Sequence, residues 1–155
     1  MLGSLVTEPL RYTDDDVMRL KDGAATVNAL VRRTTRERLA ERRFDEWSAL
    51  EIIAHVVDLA EVTRMRVERS LAEDTPTIES VPSGTLAEER DPLRLAKRLQ
   101  WAHARLVELL MEPGATERGA RHTQWGDITA GHMAAYHARH ADGHIGELSR
   151  AFPPA

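Results

Sequence analysis

The chain of 155 residues is 42% hydrophobic and 30% charged with a formal net charge of −4, which predicts one globular domain over residues 1–155. The acidic balance disfavours a general binder of nucleic acids or anionic membranes, and no apolar run is long enough to span a bilayer. The lack of cysteine excludes disulfides, cysteine-ligated zinc and a cysteine nucleophile, and it fits a cytoplasmic protein.

The first predicted helix follows a short N-terminal segment. Residues 1–9 lack both a basic region and a sustained apolar stretch, so we expect no signal peptide. Thr13 can cap a helix, and the three acidic residues after it favour the positive end of the helix dipole. Apolar residues then recur at helical spacing from Val17, which predicts a helix to about Ala40.

The second predicted helix has a more specific start. Ser48 is followed three residues later by Glu51, the pattern of a capping box, and Trp47 is placed to pack on Ile52. The helix is predicted to continue to about Glu73. Its inward stripe consists of Ile52, His55, Val56, Leu59, Val62 and Arg66.

A long connection precedes the last two predicted helices. Residues 74–90 contain two prolines and little periodicity, which indicates either a crossover between parallel helices or a flap over a site. A third helix is predicted from Asp91 to before Pro113, and a fourth from about Gly126 to about Phe152. No strand pattern competes, so the predicted fold class is all-α, a four-helix bundle.

Three histidines form a candidate metal site. His140 and His144 lie about 40° apart on one helix face, where two imidazoles can hold one metal ion. If the second and fourth helices are antiparallel, His55 lies about 10 Å below its end of the bundle and His144 about 12 Å below the matching end. The three would then meet at one level. Spacing alone leaves open a hydrogen-bonded core histidine and a solvated histidine pair.

The other four histidines have separate expectations. His137 is the nearest rival ligand, about two turns from His144 on the same side of the last helix. His103 faces inward on the third helix and is expected to pack in the core below the metal level. His122 and His132 are expected at the surface.

Two segments resemble the DinB superfamily, which includes thiol-dependent S-transferases. Residues 47–55, WSALEIIAH, resemble the entry of its second helix, and residues 136–148, YHARHADGHIGEL, look like its closing helix. The resemblance covers essentially the whole chain. It implies up-down-down-up topology, in which residues 74–90 form the crossover between helices 2 and 3. It also implies a divalent metal, described as zinc or nickel, on His55, His140 and His144.

The last helix departs from the family pattern at two positions. Glu147 stands where glutamine is frequent, and Gly143 replaces the second member of a frequent histidine pair. Neither change removes a ligand. Glu147 lies about 20° from His140 on the ligand face, so it is a candidate base, a group that orients a ligand, or a solvated residue near the helix end.

The resemblance implies a metal-dependent thiol S-transferase, with a small thiol and an electrophile as its partners. Arg94 or Arg98 could bind an acidic group of the substrate, and solvated surface charge is the alternative for both. A metal-dependent hydrolase would instead use a carboxylate as base, with the candidates Glu51, Asp58 and Glu147. A non-catalytic, stress-related bundle with a structural metal is the third alternative, although no fourth ligand is evident. A homodimer is one alternative for the oligomeric state.

Overall fold

The computed structural model describes residues 9–154, which form five α-helices, one short 3₁₀ helix (Ala115–Glu117) and five short strands. The helices are α1 (Asp14–Arg32), α2 (Arg36–Glu41), α3 (Ala49–Ala72), α4 (Pro92–Leu109) and α5 (Ala130–Ala151). The strands are β1 (Arg43–Phe44), β2 (Trp47–Ser48), β3 (Thr77–Ile78), β4 (Gly119–His122) and β5 (Gly126–Thr129). The expectation of no signal peptide concerned residues 1–9, of which only Pro9 lies within the described range.

The four long helices form the predicted four-helix bundle. Helices α1 and α3 each pack against both α4 and α5. Helices α3 and α4 are parallel, because Arg98 pairs with Glu61 and, further along both helices, Arg105 pairs with Glu68. None of the helices in residues 9–154 is long and apolar enough to cross a membrane.

The remaining contacts give the direction of α5. The start of α3 faces the later part of α5, where the ring of His55 lies 5.4 Å from that of His144, so these helices are antiparallel. Helix α1 is parallel to α5, because Asp16 pairs with Arg139 and Arg33 bonds to the carbonyl oxygen of Phe152. The topology is therefore up-down-down-up, with the crossover between α3 and α4.

Two clusters of apolar side chains fill the bundle. The larger cluster joins the end of α1 to the start of α3 and α4 and the end of α5, and includes the fully buried Leu30, Ile53 and Leu99. Burial of each such side chain contributes about 1.5–3 kcal/mol. The smaller cluster lies toward the opposite end and includes Leu20 and Leu106. The antiparallel packing of α3 on α5 fixes the level at which their histidines meet.

The predicted helix starts of α1, α3 and α4 are confirmed. The Asp16 carboxylate accepts the backbone N–H of Thr13 at 3.0 Å. Ser48 and Glu51 form the capping box of α3. The Asp91 carboxylate accepts the N–H of Leu93 at 2.9 Å. These starts depend on contacts within four residues, which is why the sequence reveals them.

Two other boundaries were predicted wrongly. The first helix does not continue to Ala40: it ends at Arg32, and the Thr35 hydroxyl caps the separate helix α2 by accepting the N–H of Arg38. The last helix begins at Ala130 rather than near Gly126, because Gly126, with φ +77°, leads into β5 and Thr129 caps α5.

The prediction of no strands was also wrong. Strands β1 and β2 form an antiparallel pair, and β3, β4 and β5 form a three-stranded sheet in that order. β3 is parallel to β4 and β4 is antiparallel to β5. Strands of two to four residues are too short to show an alternating pattern in the sequence.

We expect Ser48→Ala to lower the free energy of unfolding by about 1 kcal/mol, because its hydroxyl accepts the N–H of Glu51 at 3.1 Å. Urea denaturation would measure the change. Ser149→Ala, which removes a hydroxyl from a partly exposed position on α5, is the control and should change stability by less than about 0.5 kcal/mol. Metal content and activity should survive in the folded Ser48→Ala protein; loss of either would contradict a purely stabilising role.

Candidate metal centre

The three histidines singled out in the sequence converge in the fold. His55 projects from α3, and His140 and His144 project from adjacent turns of α5. One ring nitrogen of each lies within 4.8 Å of those of the other two. His55 is buried, whereas the other two are half-buried. Helix spacing predicted this convergence, and metal binding at the cluster stays a prediction.

A backbone carbonyl fixes the orientation and the tautomer of His55. Its Nδ1 lies 2.7 Å from the carbonyl oxygen of Thr85, in the crossover. A carbonyl oxygen can only accept, so Nδ1 carries the proton and Nε2 keeps a free lone pair. Histidine ligands of metals usually have such a partner on their second nitrogen. The crossover itself is tied to α3 where Ala87 N–H bonds to the Ala54 carbonyl.

The environment keeps the half-buried pair neutral. Burial, together with the neighbouring His144 and His55, lowers the pKa of His140 to about 4. Burial and His55 also lower the pKa of His144. At neutral pH both rings therefore offer a lone pair without first losing a proton, which favours coordination of a metal ion.

The donor set fits a divalent transition metal. Neutral imidazoles suit zinc and nickel, and ligand atoms from three side chains leave coordination positions open. Among residues 9–154, no cysteine or carboxylate joins the cluster. Glu147, the predicted candidate base, is not part of it.

A cavity of about 420 Å³ adjoins the three histidines. Helix α3 contributes Leu59, Val62 and Thr63 to its lining, helix α5 contributes Met133 and Tyr136, and the crossover contributes residues 80–84. The predicted alternative of a crossover is confirmed, and this crossover also lines the cavity. This volume lies within the range of small-molecule sites.

Trp47 has a position that sequence reasoning missed. Its ring centroid lies 4.6 Å from that of His55 and 6.3 Å from that of His144, and it lines the cavity. In the sequence it was interpreted only as a residue that packs at the start of α3. Its place beside the later histidine depends on α5, which a local pattern does not reveal.

Other predicted site residues lie elsewhere. The Glu51 carboxylate accepts the N–H of Ser48 and an N–H from Arg43, so it is already engaged in the helix cap and in an ion pair. Arg98 pairs with Glu61 on α3. The cavity lining includes none of the predicted acid-binding or base residues Arg94, Arg98, Glu51, Asp58 and Glu147.

His103 and His137 form a buried pair between α4 and α5. His103 Nδ1 lies 2.8 Å from the carbonyl oxygen of Leu20, and its Nε2 lies 2.9 Å from Nε2 of His137. The prediction that His103 packs in the core is therefore confirmed. His137, the predicted rival ligand, is engaged by His103 through one nitrogen and also lines the cavity.

The prediction that His122 and His132 are surface residues was wrong. They are 3% and 9% exposed. Nδ1 of His132 accepts the N–H of Leu10, and the ring of His122 stacks on Trp125 with 4.3 Å between centroids. The N-terminal segment and the β4–β5 hairpin bury these rings, and both are remote from the helix pattern that was used to place them.

We expect the His103–His137 pair to make folding sensitive to acid. Burial lowers the pKa of His103 to about 4, against about 6.5 in an unfolded chain. As the pH falls between these two pKa values, His103 gains a proton in the unfolded chain but stays neutral in the folded protein. The free energy of unfolding therefore has its full value above the unfolded pKa of His103, and it falls by about 3 kcal/mol as the pH approaches the folded pKa.

Urea unfolding from about pH 7 to about pH 4 would measure this loss. His103→Gln removes the titrating group and should flatten the pH dependence, although it lowers the stability at neutral pH. An unchanged pH dependence in this variant would show that the other histidines account for the whole effect.

Comparisons with known proteins agree with this architecture. Residues 19–148 match the DinB superfamily. A solved structure from Bacillus subtilis, YfiT, described as a probable metal-dependent hydrolase with an unusual four-helix bundle topology, is 24% identical with a TM-score of 0.74. The match covers 96% of this chain and 95% of YfiT. A comparison with curated proteins finds no match. Since the family match extends over most of its length, the chain belongs to the DinB superfamily.

Proposed function

We propose that this protein is a metal-dependent thiol S-transferase. His55, His140 and His144 hold one divalent ion, zinc or nickel, and a low-molecular-weight thiol supplies the nucleophile that a chain without cysteine lacks. The observation that carries the proposal is the three-histidine cluster at a cavity of about 420 Å³, which has room for a small thiol and an electrophile.

The chain's own residues prepare this site. A divalent ion held there would lower the pKa of a bound thiol. Thr85 orients His55, and Trp47 covers the histidines on one side. Leu59 and Val62 give the cavity apolar walls. In the reaction, sulfur bonds to the electrophilic carbon, the leaving group departs with its electron pair, and the thiol proton passes to solvent.

The positions of the carboxylates favour thiol transfer over hydrolysis. A hydrolase needs a base beside the attacking water, whereas a thiol held near a divalent cation ionises readily without one. The three bases predicted from the sequence do not line the cavity. Within residues 9–154, its lining contains a single carboxylate, that of Glu46.

Hydrolysis is the second candidate function. Glu46 lies in the cavity lining and precedes Trp47 directly, so it is the carboxylate available as a base. YfiT, with the same fold, is itself described as a probable metal-dependent hydrolase. Hydrolysis would require Glu46 and no added thiol, whereas thiol transfer requires an added thiol and does not require Glu46.

A haloaromatic electrophile would test the proposal, assayed with zinc- or nickel-loaded protein and a panel of small thiols such as mycothiol and bacillithiol. We expect turnover that requires both thiol and metal, disappears in His55→Ala and survives in Glu46→Gln. Cleavage of esters or amides without thiol, abolished by Glu46→Gln, would establish the hydrolase instead. If neither reaction occurs while the metal raises the melting temperature, the metal is structural.

A further inference from the structure

The cavity has a second polar end, opposite the histidine cluster. Arg66 lies eleven residues after His55 on α3, which places it about 20° around the helix and about 16 Å further along its axis. Both residues line the cavity, and Leu59 and Val62 line it between them. One stripe of α3 therefore carries a metal-ligating imidazole at one end and a guanidinium at the other, separated by an apolar stretch.

No carboxylate in the described part of the chain neutralises Arg66. Its guanidinium donates to the backbone carbonyl oxygen of Glu79, and none of the ion pairs among residues 9–154 includes it. Burial lowers the pKa of Arg66, as expected for a partly desolvated cation without an anionic partner. The half-buried guanidinium therefore keeps N–H donors that a ligand can use.

His122 adds a second donor at the same end, because it pairs in the sheet with Ile78, the residue before the Glu79 carbonyl that Arg66 contacts. Its Nδ1 accepts the backbone N–H groups of Gln124 and Trp125, both at 3.1 Å, so the proton of the neutral ring is on Nε2. No group of residues 9–154 accepts a hydrogen bond from this Nε2, and the residue lines the cavity. The stack on Trp125 holds the ring in place.

The charge of the lining orients a ligand. Glu46 adjoins Trp47, which contacts the histidine cluster, so the single carboxylate of the described lining lies toward that end. In the metal-free protein, Glu46 repels an anion at the histidine end, and Arg66 attracts it at the other end. Between the ends, the aromatic and apolar side chains of Trp125, Tyr136 and Met133 offer contacts for an apolar or aromatic body.

We propose that Arg66 and His122 form an anion-binding subsite for the distal end of an elongated substrate. The ligand carries a carboxylate or a phosphate on an apolar or aromatic body, and its reacting group reaches the histidine cluster. Arginine suits this role because its planar fork binds either oxyanion through two N–H groups. The inference rests on the proposed function for the reacting end of the substrate, but the binding of the anion does not depend on it.

This subsite replaces the acid-binding role predicted for Arg94 or Arg98. Arg98 is already paired with Glu61, and neither of those arginines lines the cavity. A purely structural role for Arg66 would be to anchor the crossover through Glu79. A test must therefore separate recognition of the anion from retention of the cavity's shape.

Matched ligands provide that separation. Calorimetry would measure binding of phenylbutyrate, its phosphonate analogue and phenylbutyramide to the full chain without metal, because zinc on the histidines would itself bind the two anions. We expect at least one of the two anions to bind roughly tenfold more tightly than the neutral amide, because only anions pair with the guanidinium. Tighter binding of the carboxylate would assign carboxylic acids to the subsite, and tighter binding of the phosphonate would assign phosphate esters.

Variants then assign the preference to Arg66. Arg66→Met should abolish the tenfold preference and leave affinity for the amide unchanged, whereas Arg66→Lys should retain part of it as a point charge. Arg69→Met is the matched control, since Arg69 lies one turn further along α3 and pairs with Glu73. It should keep the full preference.

Three results would overturn the subsite: equal binding of anions and amide by the unaltered protein, loss of preference in Arg69→Met, or equal loss of anion and amide binding in a folded Arg66→Met protein. The assay needs neither turnover nor metal. A preference for anions without thiol-dependent turnover would contradict only the proposed function, and turnover without that preference would contradict only the subsite.

Discussion

His140→Ala and His144→Ala are each expected to remove most of the divalent metal from the purified protein. Each substitution deletes one of three imidazoles whose nitrogens lie within 4.8 Å of one another. Loss of even a residue that only orients a ligand weakens metal binding about 10–100-fold, so loss of a ligand should weaken it by more than roughly a hundredfold. The same variants should lose the rise in melting temperature that bound metal confers on the folded state.

Elemental analysis and calorimetric titration with zinc and nickel would measure this effect. His132→Ala is the matched control, because His132 lies on the same helix and bonds to the N–H of Leu10 instead of facing the cluster. It should keep its metal, as should His103→Ala. Full retention of metal in both His140→Ala and His144→Ala would rule out the proposed centre.

The second large effect concerns stability. We expect Asp16→Ala to lower the free energy of unfolding by about 3 kcal/mol, because it removes a cap and hydrogen bonds to a fully buried carboxylate. Asp16 accepts the N–H of Thr13 at 3.0 Å and pairs with Arg19 at 2.9 Å and Arg139 at 3.1 Å. Burial raises its pKa, but the hydrogen bonds from Arg139 and Thr13 outweigh this and lower it overall.

Asp15→Ala is the control for this prediction. Asp15 is an exposed acid in the same turn of α1, so the change in helix-dipole energy is similar while the buried contacts remain. We expect it to cost less than about 0.5 kcal/mol in urea denaturation. Equal destabilisation by the two substitutions would mean that the helix dipole explains the effect, and not the ion pair of Asp16 with Arg139 on α5.

The amino-acid sequence by itself determined the features that depend on neighbours within one or two helical turns. Ser48 and Asp91 mark helix starts because their side chains bond to N–H groups two or three residues later. His140 and His144 share a face because of the helical repeat. Together with the family resemblance, these local rules were sufficient for the bundle, its topology and the convergence of His55 with the pair on α5.

Tertiary structure alone decided how the cavity is built. The strands are too short to leave a pattern, and the burial of His122 depends on the β4–β5 hairpin. Trp47 reaches His144 only because α3 and α5 are antiparallel. Helical spacing placed Arg66 on the stripe of His55, but it could not show which arginine has a carboxylate beside it. The roles of Arg66 and Arg98 differ because Glu61 lies beside Arg98, whereas packing places Arg66 along a cavity without a carboxylate partner.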